Sequence, residues 1–484
     1  MSNNSKDFLD ISDKKLDFYY FDSKKIETLT KLIFLRNYFA RKKNSTCCLN
    51  STSLSESIRY WTHVRWTLNT ERIKRILSHK ISDVQNDYSQ YISFEPSIST
   101  NNLKLFHDII CYPIENLMHP SQGGPEWKDW DVEIEGRISI DKHFDDARCS
   151  DKFKSLYKSN SIVKGYWLWG GFLVDHFGHL IADHLTRVIE YLSYVHYVSD
   201  TPYTLTGIVF SCEPETRPSK NLVKLIKDII NYFTDEKINI KYINEATTFE
   251  NLVIAKQGER RDASNSESSM PSKYYQSYLI KNQIKNSLNN TNRNLKLYIS
   301  RAGLKESNAK FLGHEYIENY IEKQGCLVVR PETLDITTQV RLLSKAADII
   351  IDEGSSLHAF QLLGKISGSV TILSRYLNPS MRLNCINSRL IKPANIVSIT
   401  AGLVTTHTAA NALSLIDFEA LGNYFSSPIN KAEFKYYCAS QLKSYQNLWE
   451  SKNYTNLGEN VAFRANTDPK IKKFYEKLFR KLKF

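Results

Sequence analysis

Four polar side chains recur at helical spacing in the segment DHFGHLIADHLTRV, residues 175–188. At about 100° per residue, an α-helix places His176, His179, Asp183 and Arg187 in one stripe, opposite an apolar face. Because histidine and aspartate can accept a proton near neutral pH, we interpret this stripe as a proton-transfer and substrate-orienting face. Two other interpretations stay open. The stripe could be solvated or structurally hydrogen-bonded, or it could be a metal site that lacks the i, i+4 histidine pair of zinc proteases.

A second segment whose residues could bind a ligand is ADIIIDEGSSLHAF, residues 347–360. A buried strand is expected to end there, Gly354 permits a tight turn, and Ser355 and Ser356 begin a helix. Free backbone amides and the positive end of the helix dipole then suit a phosphate, whereas Glu353 suits ribose hydroxyls. A capped turn between a strand and a helix, with no ligand, is the alternative.

The third segment is LYISRAGLKES, residues 297–307. Arg301 leaves the end of a predicted strand into a loop with Gly303, where a guanidinium can bind a diphosphate through two hydrogen bonds. Alone, Arg301 would be interpreted as a surface arginine. Together with the 354–356 turn and a base from the earlier segment, it describes a nucleotide-sugar transferase.

Alternating strands and helices are predicted on both sides of a polar boundary, NNTNRN at 289–294. The predicted strands lie at 130–140, 163–172, 207–212, 238–244 and 251–258, and then at 296–301, 326–331, 347–352, 369–374 and 395–400. The predicted helices lie at 178–195, 219–233, 272–288, 314–324, 335–346 and 355–364. This spacing in the second half favours a parallel, doubly wound sheet, and two α/β halves predict a ligand cleft at the carboxyl ends of the strands.

We therefore expect an α/β protein of four parts. The boundaries are a helical N-terminal region at 1–93, α/β domains at 94–290 and 291–410, and a helical C-terminal segment at 411–484. We find no chemistry in the first of these parts.

Composition is that of a globular protein. The 484 residues are 42% apolar and 24% charged, and 28 Tyr and 23 Phe need a core, which excludes disorder as the main state. The polar, acidic start does not resemble a signal peptide, and no stretch approaches the roughly 20 apolar residues of a membrane span, so a cytoplasmic protein is expected. Eight scattered cysteines without a CxxC pair indicate reduced thiols.

The net charge of +12 is concentrated at the C-terminus. The segment KIKKFYEKLFRKLKF, residues 470–484, predicts an amphipathic helix with one apolar stripe and one basic face. Such a helix could lie on an anionic membrane or pack against the body of the protein. Nucleic-acid binding is the weaker third interpretation, because no nucleic-acid motif accompanies the charge.

Three blocks, WGGFLVDHFGHLIADHLTRV, LYISRAGLK and HEYIENYIEKQGCLVVRPETLDITTQVRLLSKAADIIIDEGSSLHAFQLL, carry a family resemblance. Over about residues 163–375 the chain resembles glycosyltransferase family 61, whose bacterial members are often assigned to capsular polysaccharide biosynthesis. The positions that match are His179, Arg187, Arg301, Glu315, Pro331, Glu332, Gln339, Ala346, Glu353, Gly354, Ser355 and His358. Two positions depart from the pattern: Lys305 stands near the place of a second arginine, and His314 replaces an asparagine.

The resemblance implies a GT-B architecture of two Rossmann-like domains, an inverting mechanism and no obligatory metal. The later domain would bind a nucleotide-diphosphate sugar, with a UDP-sugar favoured, and the earlier one the acceptor. Arg301 and the amides of Ser355 and Ser356 would stabilise the leaving diphosphate, and His358 could add a hydrogen bond.

For the catalytic base, the resemblance and the residue types leave three candidates. Asp183 is slightly favoured over His179, and His176 stays open. Arg187, Lys305 and Glu315 are further candidate site residues.

The expected partners are the donor and a glycan or lipid-linked glycan acceptor, with membrane-surface contact through residues 469–484 and no nucleic acid. The expected product is a capsular or other cell-surface polysaccharide. Two rival functions are a non-catalytic polysaccharide- or nucleotide-binding protein and a metal-dependent hydrolase that uses His176, His179 and Asp183.

Overall fold

The fold is known from a computed structural model, in which residues 67–484 form one compact unit. The described residues are 69–70, 72–74, 76–77, 103–114, 123–126, 151–159, 161–173, 175–198, 203–214, 217–255, 257–259, 273–286, 292–305, 308–376, 384–404, 412–450 and 461–482. The predicted strand at 130–140 and nearly all of the predicted helical region 1–93 lie outside them.

A six-stranded mixed sheet organises the first half of the described chain. Its strands are β1 (Leu103–Tyr112), β2 (Gly124–Pro125), β3 (Ile162–Phe172), β4 (Leu205–Ser211), β5 (Asn239–Ile243) and β6 (Thr247–Ala255), in the order β2-β1-β6-β3-β4-β5. The strands β3 to β6 pair in parallel, whereas β1 runs antiparallel to β6 and β2. The apolar patterns predict β3 to β6 but not β1, whose half-exposed sequence LKLFHDIICY has no clean alternation.

The helices of this half are α1 (Asp151–Leu156), α2 (Phe177–His179), a π-helical turn (Leu180–Leu185), α3 (Thr186–Tyr197) and α4 (Lys220–Phe233). The helix α5 (Lys273–Lys285) follows and leads to the second half.

A five-stranded parallel sheet organises the second half. Its strands are β7 (Asn292–Ile299), β8 (Leu327–Val329), β9 (Ala346–Asp352), β10 (Ser369–Ser374) and β11 (Asn395–Ser398), in the order β11-β10-β9-β7-β8. The helical elements are α6 (His314–Lys323), a 3-10 turn (Pro331–Thr333), α7 (Ile336–Lys345), a 3-10 helix (Ser355–Leu362) and α8 (Asn384–Asn387). The mixed α/β fold with a parallel sheet is confirmed, although the helix predicted at 355–364 is a 3-10 helix.

A small antiparallel sheet and three helices complete the chain. These are β12 (Thr400–Val404), β13 (Leu413–Ile416), α9 (Phe418–Tyr424), α10 (Lys431–Glu450), β14 (Val461–Phe463) and α11 (Pro469–Leu482). The apolar stripe of α11 packs against the body, since Ile471, Tyr475, Leu478 and Phe479 are buried. Its exposed face is basic. In the part of the chain that the structure describes, no helix is long and apolar enough to cross a membrane.

The two α/β halves share a hydrophobic core. One cluster of buried side chains includes Leu168 and Phe210 of the first sheet, Leu279 of α5, and Ile299 and Ile351 of the second sheet. The opposite face of the first sheet buries a separate, aromatic cluster around Trp169.

A buried ion pair also joins the two halves. Arg389, after α8, donates from Nη2 to both carboxylate oxygens of Glu259, at 2.7 and 2.8 Å, and the Arg389 side chain is fully buried. Its Nε donates to the carbonyl of Leu363 at 2.6 Å. Burial raises the pKa of Glu259 and the charge of Arg389 opposes that rise. A buried charge of this kind is tolerated only with its partner in place.

Replacing Arg389 by Met should therefore lower the free energy of unfolding by about 3–5 kcal/mol, because Glu259 stays buried without its counter-charge. The loss should be smaller at pH 5 than at pH 8. Without Arg389 the folded-state pKa of Glu259 rises further, so the folded state binds more protons than the unfolded state and its stability falls as pH rises. Urea unfolding at the two pH values measures both effects.

The matched control is Lys431→Ala, which removes the exposed pair Lys431–Glu419 and should cost less than about 1 kcal/mol. A second variant, Glu259→Gln with Arg389→Met, should recover part of the loss. Equal destabilisation by the buried and exposed replacements would contradict the role assigned to the buried pair.

Candidate active site

The first side of the site begins where β3 ends. Gly171 has φ +103°, and a Cβ there would lie 2.6 Å from Nδ1 of His184, so only glycine lets the chain turn this closely against the following helix. His176 then caps α2, because its Nδ1 accepts the backbone N–H of His179 at 3.3 Å. The sequence thus starts its helix at the carboxyl end of a buried parallel strand.

His179 and Asp183 form a hydrogen-bonded pair. Nδ1 of His179 lies 2.6 Å from Oδ2 of Asp183, and the side chains are 41% and 13% exposed, respectively. With the carboxylate accepting from Nδ1–H, the second ring nitrogen of His179, Nε2, carries the lone pair. Asp183 is therefore placed to orient an imidazole that can accept a proton.

Arg187 does not share this face. It is fully buried, and its Nη2 donates to the backbone carbonyl of Asp183 at 3.4 Å, as does Nε2 of Gln257 at 2.6 Å. The physical reason is the π-helical turn at 180–185: it adds about one residue to the turn and so rotates later residues by about 100° from their α-helical positions. Arg187 supports the turn that carries Asp183.

The second side is the turn that follows β9. The backbone N–H of Arg301 donates to Oδ2 of Asp352 at 2.9 Å, and the guanidinium lies against Gly354. A Cβ on Gly354 would lie 2.2 Å from Nη1 of Arg301, so the glycine makes room for the guanidinium itself. Burial, followed by the charge of Arg375, lowers the pKa of Arg301 to about 10.

A buried hydrogen-bond network holds this turn from below. The carboxylate of Asp352 accepts from the hydroxyl of Tyr298 at 2.9 Å and from Nε2 of His314 at 2.8 Å, besides the N–H of Arg301. Tyr298 and Asp352 are fully buried and His314 is 1% exposed. His314, which replaces the asparagine of the family pattern, therefore contacts Asp352 beneath the turn. Sequence reasoning missed the hydrogen bond between Tyr298 and Asp352. Tyr298 aligns with Ile350 of the neighbouring parallel strand, two residues before Asp352, and alternation along that strand places Ile350 and Asp352 on the same face.

The remaining predicted donor-binding residues take different positions. Oε2 of Glu353 accepts from Oγ of Ser374 at 2.8 Å and from the N–H of Arg375 at 3.2 Å, so this carboxylate oxygen holds the end of β10. Ser356 is buried and lines a small pocket with mainly apolar side chains, and its Oγ is itself buried. His358 is also buried, and its Nδ1 lies 2.7 Å from Oε1 of Gln361.

The two sides meet where α2 contacts the 3-10 helix at 355–362. Oγ of Ser355 lies 3.4 Å from Nε2 of His176, and a Cβ on Gly178 would lie 2.7 Å from Cδ2 of His358. The structure thus brings together the histidine segment and the Gly354 turn, as the sequence predicts.

Two candidates lie elsewhere. Glu315 is 3.8 Å from Nη2 of Arg330, which also donates to Glu318 at 2.6 Å, and Lys305 is exposed on the loop after Arg301. Neither makes a described contact with the Gly354 turn. Within the described residues, no group of three or more His, Cys, Asp or Glu side chains is arranged to hold a metal ion.

Comparison with known families matches residues 177–363 to the model of Glycosyltransferase 61. No curated protein matches the chain. The matched region begins at α2 and ends just after the 3-10 helix, so it contains His179, Asp183, Arg301 and the Gly354 turn. The comparison thus supports the resemblance of residues 177–363 to glycosyltransferase family 61.

Proposed function

We propose that the protein is an inverting glycosyltransferase that needs no metal and transfers a sugar from a nucleoside-diphosphate sugar to a glycan hydroxyl. The match to the family model supports a glycosyltransferase in general, with a nucleotide-sugar donor and a glycan acceptor. The single observation that carries the finer proposal is the contact of His176 with Ser355, which places the His179–Asp183 pair beside the turn that holds Arg301.

In this proposal His179 is the base and Asp183 its positioning residue. The order differs from the slight sequence preference for Asp183, because the carboxylate is only 13% exposed and its Oδ2 contacts His179. Nε2 of His179 takes the proton of the acceptor hydroxyl as its oxygen attacks the anomeric carbon. The bond from that carbon to the diphosphate oxygen breaks on the opposite face, and its electron pair leaves with the diphosphate.

The donor side supplies positive charge for the leaving group. Arg301 is fixed in place by its backbone bond to Asp352 and by the space over Gly354, so it needs little rearrangement as charge develops on the diphosphate. The amides of Ser355 and Ser356, at the start of the 3-10 helix, add backbone donors. We propose a GT-B-type arrangement, with the acceptor bound by the first half and the donor by the second.

We further propose a UDP-sugar donor and an acceptor that belongs to a capsular or other cell-surface polysaccharide, with the reaction in the cytoplasm at the inner face of the membrane. The exposed basic face of α11 supports this location. Its apolar stripe is buried against the body, so contact with a membrane would be electrostatic and sensitive to salt.

The function is tested first by thermal unfolding with a panel of nucleoside diphosphates and nucleotide sugars, with and without EDTA. One nucleotide at about 100 times its Kd should stabilise the protein by about 2.7 kcal/mol, whether or not the chelator is present. Stabilisation that EDTA abolishes would overturn the metal-independent proposal. No response to any nucleotide would overturn the donor class.

Arg301→Ala should raise the Kd of that nucleoside diphosphate tenfold or more, because a charged hydrogen bond contributes about 1.5–3 kcal/mol. Isothermal titration calorimetry measures the change. Arg217→Ala, at an exposed arginine distant in sequence from the turn, is the control and should bind like the wild-type protein. Equal affinity in both variants would remove Arg301 from the donor site.

His179→Gln should lower kcat at least about 100-fold and leave the donor Kd unchanged, because general bases contribute about 10²–10⁴-fold. His196→Gln, at an exposed histidine of α3, is the control. If His179→Gln keeps the wild-type kcat while Asp183→Asn loses it, the base is Asp183.

Joint replacement of Lys470, Lys473, Lys477 and Lys481 by Gln should weaken binding to phosphatidylglycerol vesicles about 100-fold or more, since each basic residue near the surface contributes about 1 kcal/mol. These lysines lie on the exposed face of α11, so the buried stripe is kept. The matched control replaces the exposed Lys152, Lys158, Lys227 and Lys237. Sedimentation with vesicles measures binding, and an equal effect of the two sets would contradict a specific role for α11.

A further inference from the structure

Arg375 occupies a place in the site that neither the family pattern nor the sequence motifs assign. It directly follows β10, which pairs in parallel with β9 so that Leu373 aligns with Asp352. Its Nε donates to the backbone carbonyl of Glu353 at 2.6 Å, and the residue is only 3% exposed. Arg375 therefore lies on the Glu353-Gly354 turn, against which Arg301 also packs.

The two arginines lie close enough for their charges to interact. The charge of Arg375 is the second cause, after burial, of the lowered pKa of Arg301. The carboxylate of Asp352 accepts hydrogen bonds from Tyr298, His314 and the backbone of Arg301, and its charge opposes the lowering of the Arg301 pKa without cancelling it. Two like charges held together in a buried place favour an anion between or beside them.

Both guanidinium groups have N–H donors that make no hydrogen bond to the described residues. Nη1 of Arg375 is buried and has no hydrogen-bond partner among the described residues, and the Nη atoms of Arg301 make no hydrogen bond to them either. Meanwhile the orientation of Arg375 is fixed. Its Nη2 donates to the hydroxyl of Tyr376 at 3.1 Å, and its guanidinium carbon lies 4.8 Å from the centre of that ring.

We propose that Arg375 is a second donor-binding arginine, whose guanidinium and that of Arg301 together bind the diphosphate across the Glu353-Gly354 turn. This inference rests on the proposed function. A diphosphate offers several anionic oxygens, and two planar guanidinium groups can bind them with directed, paired hydrogen bonds. In this arrangement Arg375, directly after β10, supplies the second positive charge beside Arg301. Lys305 is exposed on the loop after Arg301 and makes no described contact with the turn.

The test measures binding of inorganic pyrophosphate, of the nucleoside diphosphate that most stabilises the wild-type protein, and of the matching nucleoside. Arg375→Gln should weaken pyrophosphate and nucleoside diphosphate about 10- to 100-fold and leave the nucleoside unchanged. Arg375→Lys keeps the charge without the planar fork and should lose less. Arg217→Gln, at an exposed arginine, is the matched control and should bind all three as the wild type does.

A double-mutant cycle separates a shared ligand from a structural effect. Arg301→Gln and Arg375→Gln should be non-additive for pyrophosphate, because both contact the same anion, whereas Arg301→Gln and Arg217→Gln should be additive. Thermal unfolding checks that each variant is folded. If Arg375→Gln fails that check, the cycle with Arg375→Lys decides.

The outcomes also separate this inference from the proposed function. Diphosphate affinity unchanged in Arg375→Gln and Arg375→Lys, in a protein that binds nucleoside diphosphates, overturns the inference alone. Equal loss for nucleoside and diphosphate also overturns it, because it indicates a structural role. If the wild-type protein binds pyrophosphate through both arginines but no nucleotide, the paired site stands and the proposed function fails.

Discussion

The carboxylate of Asp352 is the group on which the geometry of the second half depends. A carboxylate with no exposed surface is stable only when donors replace its lost hydration. Here the donors are a tyrosine on β7, a histidine that begins α6, and the backbone of Arg301. Each bond therefore fixes a different element relative to the end of β9. Together the three bonds determine the position of the turn at Gly354.

Much of this arrangement can be predicted from the sequence, because a parallel sheet constrains both the residue types of its strands and the place where the strands end. Apolar runs such as ADIIID identify strands buried on both faces, and their carboxyl ends share one edge, so Arg301 and the Gly354 turn could be predicted as neighbours. Arg375 follows the same rule, but no glycine turn follows SVTILS to single it out. The strand β1 was missed for the opposite reason, since its half-exposed residues give no clear period.

The first half illustrates where helical periodicity fails. An ideal α-helix puts Arg187 in line with Asp183, yet the π-helical turn carries it into the interior. Likewise, sequence could list three candidate bases but could not rank them by exposure, because exposure depends on how α2 packs against the 3-10 helix. Glu353 and Ser356 show the same limit: their residue types suit a ligand, but their hydrogen bonds and burial are set by β10 and by the cavity beneath the turn.

The continuous core between the two sheets constrains how a substrate can reach the site. Separating the halves as rigid lobes would expose the shared apolar cluster to water and pull Glu259 from Arg389. Breaking that ion pair alone costs about 3–5 kcal/mol, and exposing the shared apolar cluster adds to this cost. Wide separation of the halves is therefore energetically unfavourable. A ligand of the Gly354 turn would instead reach it past Tyr376 and the loop after Arg301, which are partly exposed. Access to such a site would need the movement of only a few residues.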